Sequence, residues 1–147
     1  MKRCVFVCLC VVAVVGLATP APAKGVRDAT IKGPRFTEPL VIDRSTVIEL
    51  TQTSMLYVAT SHQPATAVMK QRPPGRLGPR YVVTWGWLVA AERTKPVRQM
   101  LYPFAEGGAL SYVPPGQRLS EQWRLKGGWL RVGQRLTDVL TTLGEHE

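Results

Sequence analysis

The sequence predicts an α+β domain, in which a small antiparallel sheet, a meander of about three to five strands, carries one or two packed helices. Three observations predict this class. Residues 80–90 alternate in a β-branched and aromatic composition that is typical of a strand. A charged turn and a second alternating run follow, as in an antiparallel hairpin. Near the C terminus, apolar residues recur at the spacing of one helix face.

The predicted meander begins with the strand Arg80–Ala90. After the charged turn Glu92–Pro96, alternation resumes over Val97–Phe104 and completes the hairpin. A glycine pair then interrupts the chain before a short strand, Ala109–Val113, which a Pro-Pro-Gly run ends. These strands are expected to lie side by side in chain order.

Two short strands are predicted near the start of the domain. The first covers Ala29–Lys32 and the second Phe36–Ile42. Pro39 interrupts the second strand and confines it to a sheet edge, because proline has no N–H group to donate to a neighbouring strand.

Two helices are predicted. Asp43–Ser54 carries Thr46 and Glu49 at the spacing of a capping box. The other helix covers Val132–Leu143, and Gly144 stands where a C-terminal cap is expected. Its apolar stripe, at the spacing i, i+3, i+4 and i+7, consists of Leu136, Val139, Leu140 and Leu143.

Residues 61–79 lack apolar periodicity and contain four prolines and two glycines. This composition predicts a long irregular connection. Such loops are either functional or disordered, so this segment is the first place to look for a partner surface.

The N-terminal residues 1–23 have the pattern of a secretory signal peptide. Two basic residues precede an apolar run of 14 residues, and Ala21 and Ala23 form a small-x-small cleavage site. The run is shorter than the roughly 20 apolar residues that span a bilayer, so no retained transmembrane segment is expected. We therefore expect a secreted or cell-envelope-associated protein in which residues 24–147 form a single exported domain.

Removal of residues 1–23 changes the composition. The remaining 124 residues carry 17 Lys and Arg against 10 Asp and Glu, a net charge of +7 instead of +9, and none of the three cysteines. A cysteine-free domain excludes disulfides, thiolate nucleophiles and cysteine-based zinc or iron–sulfur sites.

The remaining catalytic inventory is sparse, and no cofactor or metal site is predicted. The histidines are His62, in the irregular connection, and His146, beside the C terminus. The carboxylates are scattered, and Glu92, Glu106 and Glu121 are the candidates near the predicted sheet. These carboxylates leave a hydrolase with a carboxylate site as the alternative to a non-catalytic protein, and Glu106 and Glu121 are the first residues to substitute.

Basic residues are concentrated where acidic residues are missing, since no Asp or Glu occurs between Glu49 and Glu92. A basic surface attracts anionic polymers such as nucleic acid or phosphate-rich cell-wall polymers. The candidate contacts with an anionic polymer are Lys70, Arg72, Arg76, Arg80, Arg93, Lys95 and Arg98.

The aromatic residues divide into two groups. Tyr81, Trp85 and Trp87 share one side of the strongest strand, which we expect to be the core side, beneath the C-terminal helix. Trp123 and Trp129 flank a glycine pair and are predicted to lie in loops, as the more exposed pair.

Four motifs occur in order along the chain: Leu77–Tyr81, Gln99–Gly108, Tyr112–Gln117 and Gly127–Trp129. Together they resemble small exported proteins of high-GC Gram-positive bacteria, over about residues 30–144. Those proteins carry no assigned activity, so the resemblance implies export and a single domain and transfers no catalytic residue.

These observations predict a non-catalytic binding or interaction module at the cell envelope or in the medium. The partner expected from charge is an anionic envelope polymer, and another envelope protein is the second possibility. The hydrolase described above is the competing class.

Overall fold

The computed structural model describes residues 25–60, 67–90 and 93–145. Within these ranges the chain forms one antiparallel sheet of six strands and three helices. The predicted α+β class is confirmed. The sheet is larger than the predicted three to five strands, and there are three helices rather than one or two.

The strands lie in the spatial order β2-β1-β3-β4-β5-β6, and every neighbouring pair is antiparallel. The elements in chain order are β1 (Val26–Lys32), β2 (Leu40–Ile42), α1 (Arg44–Thr53), α2 (Leu56–Thr60), β3 (Tyr81–Ala90), β4 (Arg93–Tyr102), β5 (Leu110–Val113), β6 (Gly128–Arg131) and α3 (Arg135–Glu145).

The predicted meander is confirmed as β3, β4 and β5, but the expected turn at 92–96 is wrong for residues 93–96, which belong to β4. Pro96 is tolerated there because its backbone nitrogen, which has no hydrogen to donate, lies on the side of β4 that faces away from β3. Two residues later, the Arg98 N–H points outward and donates to Gln117 Oε1 over 2.7 Å, while Gln117 Nε2 donates to the Arg98 carbonyl over 2.9 Å. The Gln117 side chain thus takes the place of a neighbouring strand.

The N-terminal strands are confirmed in part. β2 is an edge strand that begins directly after Pro39 and pairs only with β1. β6 was not predicted, and residues 128–131 form a strand because they pair with β5 across four positions. Its sequence signal is weak because the strand is only four residues long and begins with a glycine.

The helices begin and end at other residues than predicted. The side chain of Asp43 caps α1 by accepting from the N–H groups of Ser45 and Thr46, so the predicted Thr46–Glu49 capping box is wrong. α3 begins at Arg135 rather than Val132, because the Val132 N–H donates to the carbonyl of Ala109 and extends the sheet pairing. Gly144 is not a cap, since α3 continues to Glu145.

One side of the sheet packs against the helices and forms the main core. Tyr81, Trp85 and Trp87 are buried there, as expected. The α3 residues Leu136, Val139 and Leu140 belong to the same cluster, together with Val47, Leu50 and Leu56 of the other helices. We call this side of the sheet the helix face.

A polar group occupies the centre of this core. Gln99 of β4 has no exposed surface, and its Oε1 accepts from Trp85 Nε1 over 3.0 Å. Its Nε2 donates to Ser111 Oγ over 2.6 Å and to the carbonyl of Ser54 over 2.9 Å. A single amide therefore connects β3, β4, β5 and the C-terminal end of α1.

We predict that Gln99→Ala lowers the free energy of unfolding by about 3 kcal/mol or more, because it leaves buried polar groups unpaired and creates a cavity. Urea denaturation of the purified protein measures this change. The control, Gln52→Ala on the exposed side of α1, is expected to change stability by about 0.5 kcal/mol or less. Equal effects of the two substitutions would contradict the role of Gln99.

We predict that Asp43→Ala destabilises the protein at neutral pH and has a smaller effect in acid. Hydrogen bonds from the side chains of Ser45 and Thr46 lower the pKa of Asp43 well below its ordinary value. The folded state therefore favours the ionised form, so this stabilisation is present at pH 7 and is lost as the pH falls through about 4 and below.

Asp43→Asn is the matched control, because asparagine also caps helices but does not titrate. Urea midpoints of both variants between pH 7 and pH 2 test the prediction. A destabilisation by Asp43→Ala that stays constant over this range would contradict it.

Candidate functional site

The second side of the sheet alternates with the core positions and forms a different surface. One row of cross-strand neighbours on it consists of Lys32, Val82, Met100, Tyr112 and Trp129. Thr30, Thr84 and Arg98 form the next row. No residue of the three helices belongs to the apolar cluster on this side. We call this surface the open face.

An aromatic group anchors one end of the open face. The ring of Trp129 stacks with those of Tyr102 and Tyr112, at centroid distances of 5.7 Å and 4.5 Å. Trp129 is only 9% exposed, so the prediction that it is an exposed loop residue is wrong. Trp123, the other member of the predicted pair, is half-buried. Trp129 is buried by residues distant in sequence.

Residues 67–80, which we call the basic segment, pack against this aromatic end. Met69 and Trp129 exchange backbone hydrogen bonds of 2.7 Å and 2.9 Å, which pair the segment with the edge strand β6. The Arg76 N–H donates to Glu106 Oε2 over 3.1 Å, and the Glu106 N–H donates to the Arg76 carbonyl over 2.8 Å. Met69 and Leu77 pack on the second apolar cluster.

Within the basic segment, Gly78 comes close to the turn after β4. Its φ is +70°, and a Cβ there would lie 3.1 Å from the carbonyl oxygen of Phe104. A larger residue would therefore need a strained backbone and would crowd the turn. The irregular connection was predicted correctly for the part that the structure describes.

The structure divides the predicted basic contacts into two groups. Five lie on the basic segment or on the open face, and all five are exposed: Lys70, Arg72, Arg76, Arg80 and Arg98. By strand alternation, Arg93 and Lys95 lie on the helix face instead, near the β3–β4 connection, where Lys95 is the cross-strand partner of Trp87.

Two exposed cations of the open face were missed by the prediction. Lys32 is paired with Val82, and Arg131 is paired with Leu110. The sequence pattern that could have identified these two residues is their alternation with the apolar residues Ile31 and Leu130, which are buried. Arg131 is also oriented by a hydrogen bond from Nη1 to the carbonyl of Gly107, over 2.8 Å.

The acidic residues are distributed differently. Four of those described lie in α1, at its N-cap or in α3: Asp43, Glu49, Asp138 and Glu145. The open face and the turn beside it carry Asp28 and Glu106, and the Glu106 carboxylate already accepts from the basic segment. The Asp28 carboxylate lies over Gly86, where a side chain would collide with it. The other two described acidic residues, Glu38 and Glu121, lie in loops, so cations outnumber carboxylates on the open face and the basic segment.

The predicted catalytic carboxylates do not form one site. Glu106 lies in the turn beyond the end of β4, beside the start of β3. Glu121 belongs to the loop that also carries Trp123, whose ring contacts Trp87. Trp87 lies six positions after Tyr81, the first residue of β3, which corresponds to about 20 Å along the strand. Among residues 25–60, 67–90 and 93–145, no three His, Cys, Asp or Glu side chains group as a metal site would require.

Several predicted positions lie outside the described residues. These are the cleavage positions Ala21 and Ala23, the histidines His62 and His146, and Glu92.

One groove lies in the helix layer. Its volume is about 510 Å³, and its lining includes Glu49, Arg135, Asp138 and Leu143. Arg135 Nη2 lies 2.9 Å from Glu49 Oε1 in an exposed ion pair. Since such a pair is well solvated, the groove holds no buried charge that would mark a catalytic site.

Comparison with protein-family models, with curated proteins and with solved structures finds no match to this chain. No helix in the described part of the chain is long and apolar enough to cross a membrane.

We predict that Glu106→Ala releases the basic segment. The substitution removes one hydrogen bond, and a loss of about 1 kcal/mol increases the population of the open segment about fivefold. Trypsin is therefore expected to cleave after Lys70 and Arg76 about five times faster than in the wild-type protein. Glu121→Ala is the control, and an equal acceleration by that variant would contradict the prediction.

Proposed function

We propose that the protein is an exported, non-catalytic module that binds an anionic polymer through the open face and the basic segment. The observation that carries this proposal is the convergence of seven exposed cations on one side of the sheet: Lys32, Lys70, Arg72, Arg76, Arg80, Arg98 and Arg131. Export is inferred from the signal-peptide pattern of residues 1–23.

The dimensions of the open face suit an extended ligand. The five inter-strand spacings of the sheet, each about 4.8 Å, span about 24 Å. Lys32 on β1, Arg98 on β4 and Arg131 on β6 are distributed across this width, so one polymer chain can meet them in succession. Between them lie half-buried side chains such as Met100 and Tyr112, which supply apolar contact.

The charge distribution supports an oriented encounter. Four of the eight described acidic residues lie in or beside the helix layer, whereas the open face and the basic segment carry seven exposed cations against Asp28 and Glu106. An anionic polymer is therefore attracted to one side of the domain, and this attraction increases the association rate at low salt. A protein partner would use the apolar row of the open face and would depend less on salt.

The placement of the carboxylates favours binding over hydrolysis. Glu106 is engaged by the backbone of Arg76, and Glu121 lies at the other end of the sheet. A carboxylate pair for glycoside hydrolysis requires a separation of roughly 5 to 10 Å.

We predict that the protein binds polyphosphate at low salt and that its affinity falls steeply between 50 and 200 mM salt. Each phosphate contact contributes about 0.7 to 0.9 to the slope of log K against log salt. The double variant Lys32→Gln/Arg98→Gln is expected to bind about tenfold more weakly and to reduce the slope by about 1.5. Fluorescence anisotropy with labelled polyphosphate measures both quantities.

The matched control is Arg44→Gln/Arg135→Gln, which removes the same charge from the helix layer. It is expected to retain most of the affinity. Salt-independent binding, or an equal loss in both double variants, would contradict the assignment of the open face.

A further inference from the structure

A second aromatic group lies at the other end of the sheet, on the helix face. Trp87 lies between the rings of Tyr57 from α2 and Trp123 from the β5–β6 connection, at centroid distances of 6.0 Å and 6.3 Å. Trp87 is 5% exposed, whereas Tyr57 is 46% exposed and Trp123 is half-buried. Trp87 is therefore a buried floor, and the other two rings reach the surface.

The backbone before α2 accounts for the position of Tyr57. Met55 has a φ of 55° and is the one non-glycine residue in the described ranges with a positive φ. This left-handed conformation is unfavourable for a residue with a side chain. The turn lets α2 bury Leu56 and Ala59 in the core while the ring of Tyr57 stays exposed beside Trp87.

Cations surround this aromatic group. Lys95 is half-buried as the cross-strand partner of Trp87, and Arg93 lies two residues earlier on the same side of β4. The backbones of Arg118 and Arg124 form a β-bridge in the connection that carries Trp123, and both side chains are exposed. None of these four cations belongs to the seven of the open face and the basic segment.

The geometry of the rings distinguishes between ring-shaped ligands. The planes of Tyr57 and Trp123 are inclined to Trp87 by 60° and 86°. The three rings therefore do not form one continuous parallel stack, and they enclose an angle instead. Inclined rings suit a puckered ring, whose C–H groups are attracted to the negative face of an aromatic system.

We propose that Tyr57 and Trp123 bind a sugar ring of an acidic glycan, with Trp87 as the floor and Lys95 and Arg93 beside its negative groups. This inference rests on the proposed function and narrows the anionic polymer to one that carries sugar rings. The open face attracts the charge of the polymer, and the aromatic site recognises its rings.

The test compares two polyanions, dextran sulfate, which has sugar rings, and polyphosphate, which has none. Removal of one stacking ring from a nucleic-acid site commonly costs fivefold or more in affinity, and we expect a loss of about that size here. Tyr57→Ala and Trp123→Ala should therefore bind dextran sulfate about fivefold more weakly and polyphosphate as the wild-type protein does. Tyr57→Phe keeps the ring and should retain the affinity for both.

Phe104→Ala is the matched control, since Phe104 is 44% exposed and lies in the turn after β4, away from this site. It should leave both affinities unchanged. A second measurement uses the wild-type protein, in which Trp123 is the most exposed of the four tryptophans. Dextran sulfate should protect the tryptophan fluorescence of the protein from quenching by acrylamide, and polyphosphate should not.

The outcomes separate this inference from the proposed function. If the wild-type protein binds both polymers and the Tyr57 and Trp123 variants bind them unchanged, the aromatic site is overturned and the open face is not. An equal loss for both polymers in these variants would also overturn it, because ring recognition must be selective. If the wild-type protein binds neither polymer, both proposals fail.

Discussion

The fold depends on the hydrogen bonds of one buried side-chain amide, that of Gln99. Gln99 lies at the centre of the main core and has hydrogen-bond partners on β3, β5 and the C-terminal end of α1. A buried amide without partners is costly, so the strands must meet in the register that brings Trp85 and Ser111 to it. A shift by one residue would turn Gln99 toward the open face and the neighbouring Arg98 toward the core. The apolar pattern alone gives a less specific register.

This arrangement buries the centre of one face of the sheet under the helices, whereas no residue of the described helices joins the apolar cluster on the other face. The helices cover Trp85 and its neighbours, and the loop around Leu119 and Leu125 completes that layer. The alternate positions of the same strands form the open face, where Leu110 and Trp129 are buried at one end and Lys32, Arg98 and Arg131 are exposed. Strand alternation places Lys32, Arg98 and Arg131 on this face, and the packing of the basic segment adds the other four cations.

The sequence pattern predicted local features well and distant pairings poorly. The strand at 81–90, the edge strand after Pro39 and the apolar stripe of α3 follow from residues close in the chain, and the structure confirms them. The burial of Trp129 could not be predicted, because the residues that cover it, Met69, Tyr102 and Tyr112, come from three other segments of the chain.

The candidate site shows the same division. Lys70, Arg72, Arg76 and Arg80 are close in sequence, so their concentration was visible before the structure. Lys32 and Arg131 join them only through the strand order β1-β3-β4-β5-β6. Arg93 and Lys95 were grouped with Arg98, but odd and even positions of one strand face opposite ways. Proximity in the sequence therefore wrongly includes Arg93 and Lys95 in the basic site. It also omits Lys32 and Arg131, which the strand order brings to the open face.

The most direct test is methyl NMR of the protein during titration with polyphosphate. Binding through the open face predicts that the methyl signals of Val82, Thr84 and Met100 shift progressively, while those of Ile48 and Leu143 in the helix layer stay unchanged. Shifts confined to Ile48 and Leu143 would contradict the assignment, because they would place polyphosphate on the helix layer, away from the cations of the open face.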